Sequence, residues 1–499
     1  MSPKTLVGLE DPDLEQAVEA AVTADDPARS LRGGSLPFLR TVALSVGIQG
    51  PTAGVIVGPA VLASIVGDAG ALSYLLGFVA MAFVAYAFVV FSRSFNTASS
   101  VYGFNGAAIG PRYGFVSAFL LLLVYTSFAT GVYASTADIA QSLLASFGVQ
   151  IWWVWLALAG WAAAMVLAYA SVGFSSLVIF CCEGAAIVLI AIVGGVVLAS
   201  GGYHHHGFSA APFATHGIAL GVLGLGVVNA FGGFSGFEGA ATLGEESRRT
   251  TRTIPAAVAV SLVVSAGVYI VFTWIVDNAY PTSQALAAAP APLVHLAGLY
   301  LGTTMAKVVD LAGVISAFGA QLACVNAANR LLFSLGRELG GGRGARNFLV
   351  RTDRRRGSPI GALAVVGTAS LAGLLAFSSE RTAIRALTVI VTYGAYLIVV
   401  AYLLTVVAAF VWVWRHRRRP GPLVALGVGT GILGYVLYDT FVPFPAAPFD
   451  WVVWAGVGSA LVGVALTVVP SVSRRLGSSE LLHAARRREP PVRLDVGEA

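Results

Sequence analysis

The chain has 499 residues, of which 57% are hydrophobic and 11% charged. So few charges cannot cover a soluble protein of this length, and runs of about 20 apolar residues, enough to cross a bilayer as a helix, recur along it. The runs are continuous and not alternating, which argues against a β-barrel. The net charge of +6 invites a nucleic-acid partner, but the placement of the charges gives a better account of it.

Residues 1–36 form a polar, acid-rich tail (Glu10, Asp11, Asp13, Glu15, Glu19, Asp25, Asp26) with no short apolar core near Met1. No cleavable signal is therefore expected, and the first span must start insertion itself. Twelve spans are predicted near 38–66, 71–92, 114–145, 151–170, 174–200, 217–246, 254–278, 303–334, 359–378, 386–414, 422–441 and 450–470. Segment 93–113 is too polar to span and is expected along the cytoplasmic interface. Residues 279–302 read as an outer loop with a short helical piece around Pro292–Tyr300, and 335–358 as a basic connection. The tail after Pro470, with Arg486–Arg488, Pro490 and Pro491, is expected to be flexible.

Of the 30 Lys and Arg, all but Lys307, Arg381 and Arg385 fall in the two tails and the alternate loops that share their side. Positive residues stay cytoplasmic, so both termini are expected there, and runs such as Arg354–Arg356 read as topology determinants. Cys181, Cys182 and Cys324 all lie inside spans without metal-ligand spacing and read as packing residues. His204–His206 sit in a short polar outer loop and are read as solvated. No metal and no cofactor are expected.

Two spans carry what a membrane helix avoids. Span 1 reads GIQGPTAGVIVGP over residues 47–59, with Gly50, Pro51 and Gly54 near mid-depth. Span 6 reads NAFGGFSGFEGAATLGEE over 229–246, with Gly232, Gly233, Gly236, Gly239 and Glu238. One glycine cluster by itself is ordinary helix packing. Two breaks, each in the first helix of a five-span block, point to a central site, and an odd number of spans inverts the second block. Irregular backbone at membrane depth lines a cavity or pathway. There a half-helix N-terminus attracts a carboxylate and freed carbonyls attract an ammonium, and a zwitterionic amino acid needs both.

Carboxyls inside spans are costly and by default functional, which singles out Glu238 and then Glu183. Each also has a plainer reading as a neutral hydrogen-bonding group between helices. Glu245 and Glu246 are expected beside Arg248 and Arg249 at the cytoplasmic end, as a gate or a surface pairing. Gly233–Gly236 spells the G-x-S-G pattern of intramembrane serine proteases. That chemistry needs a histidine as general base, whereas His204, His205, His206, His216, His295, His416 and His483 all lie in loops, tails or near span ends. No enzyme activity is expected.

PTAGVIVGPA in span 1, GFSGFEGAATLGEESRRTTRTIP across span 6 into span 7, and NRLLFSLGRELG leaving span 8 resemble the amino acid–polyamine–organocation transporter superfamily. The likeness covers roughly residues 36–470. It implies an all-α integral membrane fold with an inverted five-plus-five helix repeat, helices 1 and 6 broken, and two additional C-terminal helices. On this chain the repeats would be 37–200 and 217–414, the added helices 422–470, and the cytoplasmic tails 1–36 and 471–499.

The resemblance further implies an alternating-access transporter for amino acids in the plasma membrane. Its substrate carboxylate would meet the amides of Thr52, Ala53 and Gly54. The ammonium would meet carbonyls of Ile48 or Gln49 and of Phe231, Gly232 and Ser235. Phe234 and Phe237 would gate or pack, and periodicity places Phe318, Gln321 and Cys324 on a span 8 wall. Related transporters often carry a bulky aromatic where Gly232 stands, so extra room is expected there, or Phe231 takes that role. Sodium coupling in this fold uses a hydroxyl pair in span 8, but Ser316 is followed by Ala317. The span 5 lysine of some proton-coupled relatives is missing, residues 184–188 reading GAAIV. Protons, through Glu238 or Glu183, are therefore the expected coupling ion, and a neutral amino acid the expected substrate. A polyamine or organocation substrate, amino-acid exchange, uniport and a transporter-like sensor remain the alternatives.

Overall fold

The computed structural model describes residues 36–94, 100–205, 207–215, 217–244, 246–247, 250–340, 348–353, 356–416, 418–442, 444–445, 447 and 449–477. The tail before Leu36, His206, His216, Glu245, Arg248, Arg249, Arg354, Arg355 and everything after Gly477, including Arg486–Arg488, lie outside the described residues. Among those described, eleven helices are long and apolar enough to cross a membrane. Ile360–Ala376, at 17 residues, is the ninth of the twelve expected spans and sits at the short end of the spanning range.

Span 1 is Phe38–Gln49 followed by Pro51–Val66, and spans 2 to 5 are Gly70–Ser94, Pro111–Ala145, Trp153–Ala170 and Val172–Ala199. Span 6 is Leu220–Gly233 continued by the 3₁₀ segment Phe237–Leu243. Spans 7 and 8 are Thr250–Ala279 and Thr303–Gly340; spans 9 to 12 are Ile360–Ala376, Ala383–His416, Pro420–Phe441 and Asp450–Val468. Several starts are written locally. Pro111 and Pro420 open their helices at a position where no amide hydrogen is needed, and the Ser171 hydroxyl accepts from the Phe174 amide to cap span 5. The outer connection carries two short helices, Ser283–Ala287 and Pro292–Leu301.

Burial orders the spans. The most apolar stretch of spans 1 and 8 is 72% buried, against 22% for spans 4 and 11, so the first pair is central and the second rims the bundle. Spans 3 and 10, each 61% buried, flank that centre.

Two segments add to the expectation. Within the stretch expected along the cytoplasmic interface, Val101–Ala108 is a helix whose eight residues are all buried in the protein. Buried polar groups need partners. Here Asn105 Nδ2 donates to Thr405 Oγ1 of span 10 at 3.1 Å, and Phe104 stacks on Phe91. Gly114 permits the approach, since a Cβ there would lie 2.5 Å from the Tyr102 carbonyl. The tail, expected to be flexible, begins with the helix Pro470–Gly477. Arg475 Nη1 donates to the Leu339 carbonyl at 2.9 Å and Leu476 is buried, so this helix docks on the end of span 8.

Candidate functional site

Both breaks form, and they touch. Gly50 takes the left-handed conformation (φ 50°, ψ 51°), which glycine adopts without a Cβ penalty. Its amide bonds back to Val46 and Gly47, closing the first half of span 1, and Pro51 has no N–H to continue the ladder. The first amides of the second half are thus left without helical partners. Glu183 of span 5 meets them: Thr52 N and Oγ1 donate to its Oε1 at 3.1 and 2.9 Å. Ser316 Oγ of span 8 donates to Glu183 Oε2 at 2.6 Å and accepts from Ala53 N at 3.2 Å. Gly54 N has already found the Gly50 carbonyl at 3.0 Å. The amides expected to receive a substrate carboxylate are therefore held by the protein's own groups.

Span 6 unwinds in a different way. After Gly233 the amides of Phe234 and Ser235 turn back to the carbonyls of Phe231 and Gly232 at 3.1 Å, and Gly236 (φ 108°) redirects the chain into its 3₁₀ segment. A Cβ at Gly236 would sit 2.3 Å from Ile48 Cγ2, and one at Gly239 would sit 2.4 Å from Ile48 Cδ1. The glycines are there to admit span 1. Ser45 Oγ stitches the contact, donating to the Phe237 carbonyl at 2.7 Å and accepting from Ala240 N at 2.8 Å. Gln49, with its amide nitrogen donating to the Ser261 carbonyl, accepts from Phe237 N at 3.2 Å and also meets Ser265.

Glu238 is fully buried beside this junction. Its Oε1 accepts from Tyr125 Oη of span 3 at 2.8 Å, and its Oε2 from Tyr402 Oη of span 10 and from Gly236 N at 3.2 Å. Among the described residues it forms no ion pair. A tyrosine hydroxyl both donates and accepts, so this cluster can serve the carboxyl with or without a proton. Cys324 of span 8 is buried.

The other expected residues divide. Phe234 packs edge-on to Tyr74 and Tyr269, and Phe237 edge-on to Phe88, so both line the junction. Ser235 Oγ is buried there without a partner among the described residues, a polar group that calls for one. Gly232 is exposed, and a Cβ there would meet nothing within 4 Å. Phe231 instead lines an apolar groove with Leu76 and Ala80 of span 2 and Ile432 and Tyr435 of span 11. The Gln49 carbonyl, expected to face an ammonium, accepts from Tyr269 Oη at 3.1 Å. Gln321 is committed elsewhere, accepting from Thr136 Oγ1 of span 3 at 3.1 Å and donating to the Gly160 carbonyl of span 4 at 3.0 Å. Phe318 is half-buried.

One end of the bundle is sealed. Leu36 N donates to the Glu246 carbonyl at 2.9 Å, Thr41 Oγ1 meets Ser247 Oγ at 3.1 Å, and Arg330 Nε of span 8 pairs with Glu246 Oε2 at 2.7 Å. Both charged side chains are almost wholly buried, so this pair lies in the interior. Sequence reasoning missed Tyr125, Tyr402, Tyr269 and Arg330. The available signal was a polar tip inside an apolar run. Spacing could not join Tyr125 to residues more than a hundred positions away.

A model of the amino acid permease family matches residues 36–481. Uncharacterized transporters of Mycobacterium bovis and Mycobacterium tuberculosis are 29% identical over 236 residues, which is 47% of this chain. The aligned segment spans about half the length of these relatives, 49%.

Proposed function

Because the chain belongs to the amino acid permease family, we propose that it carries amino acids across the plasma membrane by alternating access, coupled to protons through Glu238. The observation that carries this reading is a carboxyl at the span 6 break, fully buried, held by hydroxyls of two other spans and by a backbone amide. A charge kept in such a place is a functional group by default. Its partners tie the break to spans 3 and 10, so a change of protonation at Glu238 is felt by all three elements. The substrate ammonium would sit by the span 6 break, with Ser235 Oγ as an available ligand and its side chain in the open space at Gly232. The apolar surround of Phe234 and Tyr74 favours a neutral side chain.

The sealed end, by the distribution of Lys and Arg, is the cytoplasmic one. Spans 1 and 6 would rock about their junction and part the Arg330–Glu246 pair when that side opens. We read Ser235 as a binding hydroxyl and not a nucleophile, because among the described residues no histidine bonds its Oγ. The test is uptake of a labelled amino-acid mixture into proteoliposomes, in sodium-free buffer, with and without an inward proton gradient. Gradient-driven accumulation is expected. Uptake that needs sodium, or none from folded protein, would overturn the reading.

A further inference from the structure

Glu183 occupies a position that the transport cycle described above does not explain. A half-helix N-terminus at membrane depth is an anion site, because its leading amides point away from any helical acceptor. In this protein that site is seen with its occupant. Both carboxyl oxygens of Glu183 are used, Oε1 by the Thr52 amide and hydroxyl, Oε2 by Ser316, which in turn takes the Ala53 amide. The side chain reaches there from span 5, and the residue is 3% exposed. Gly54, the remaining candidate donor, is spent on Gly50. A zwitterionic ligand at the junction therefore finds amine-binding groups at the span 6 break but a carboxylate seat already taken.

We propose that Glu183 is a specificity-determining residue, a tethered carboxyl that fills the anion subsite of span 1 so that ligands are selected through their amine. A substrate's own carboxylate adds little to recognition, because it can gain the Thr52 and Ala53 donors only by displacing Glu183. Charge-assisted hydrogen bonds to a carboxylate are the strong ones, so which carboxylate holds these donors decides the selectivity. The inference rests on the amino-acid transport reading.

The experiment is a set of matched pairs, each an amino acid and the amine that lacks its carboxylate. The pairs are leucine and 3-methylbutylamine, alanine and ethylamine, phenylalanine and phenethylamine, and serine and ethanolamine. Dissociation constants are measured on the full chain in detergent. In the wild type the members of the pair that binds most tightly should differ by no more than about threefold. In Glu183→Ala the donors are released, and the amino acid should gain about tenfold over its amine, or about 1.4 kcal/mol. Glu183→Gln keeps the shape and one acceptor while removing the charge. It should shift the ratio the same way, and it carries the test if the alanine protein does not fold. A wild type that prefers the amino acid by well over tenfold, or variants whose ratio does not move, would overturn the inference and leave transport standing. Failure of every pair to bind any of the folded proteins would overturn the transport reading and this inference with it.

Discussion

Glu183 and Glu238 each close one helix break, and they do it with different chemistry. Glu183 accepts from the leading amide of a half-helix, whereas Glu238 is gripped mainly by tyrosine hydroxyls from spans 3 and 10. Both carboxyls stood out in the sequence as charges in apolar spans. Their partners did not, because a hydroxyl such as Tyr402 is one ordinary residue in VVAYLLT and only the fold brings it to Glu238. The glycines separate in the same way. Gly236 and Gly232 look equivalent in GGFSG, yet one faces Ile48 at a positive φ and the other faces open space. Gly236→Ala should therefore cost about 1–3 kcal/mol from strain and overpacking. Gly232→Ala should leave stability unchanged or slightly improved. Thermal unfolding of the two variants in detergent checks this. Equal melting temperatures would mean that the contact between the two breaks is not the one described.

At the scale of elements, the twelve apolar runs, the position of both breaks and the helix starts at Pro111 and Pro420 were legible, because each is set by local composition and backbone chemistry. What was not legible is what covers a polar segment. Val101–Ala108 lacks the apolar length of a span, and only the fold shows that spans 3 and 10 cover it. Glu246 is the same lesson in charge. It stands near arginines in the chain, and the partner that only the fold supplies is Arg330 from span 8, at the sealed end. Removing one member of a buried ion pair takes a charged partner from the other, at up to about 3–5 kcal/mol. Arg330→Ala and Glu246→Ala should each lose roughly that much stability, and the double variant should lose far less than their sum. Denaturation of the three proteins tests it, and additive losses would show that the pair is not coupled.

Across the whole molecule, spans 1 and 8 are the most buried, polar groups from spans 3, 5, 7, 8 and 10 hold the two breaks, and spans 4 and 11 form the rim. A transporter of this kind must hold a seal on one side while its binding groups change partners at the centre, and both features are built from the same few helices. Glu238 sits where spans 3, 6 and 10 meet, so proton binding there is the step the account makes responsible for energy coupling. The direct measurement compares wild type with Glu238→Gln in proteoliposomes, for the amino acid that the wild type accumulates. Two modes are read on each protein: accumulation under an inward proton gradient, and exchange of labelled for unlabelled substrate with no gradient. The variant should keep exchange and lose gradient-driven accumulation. A variant that still concentrates substrate as the wild type does would contradict it.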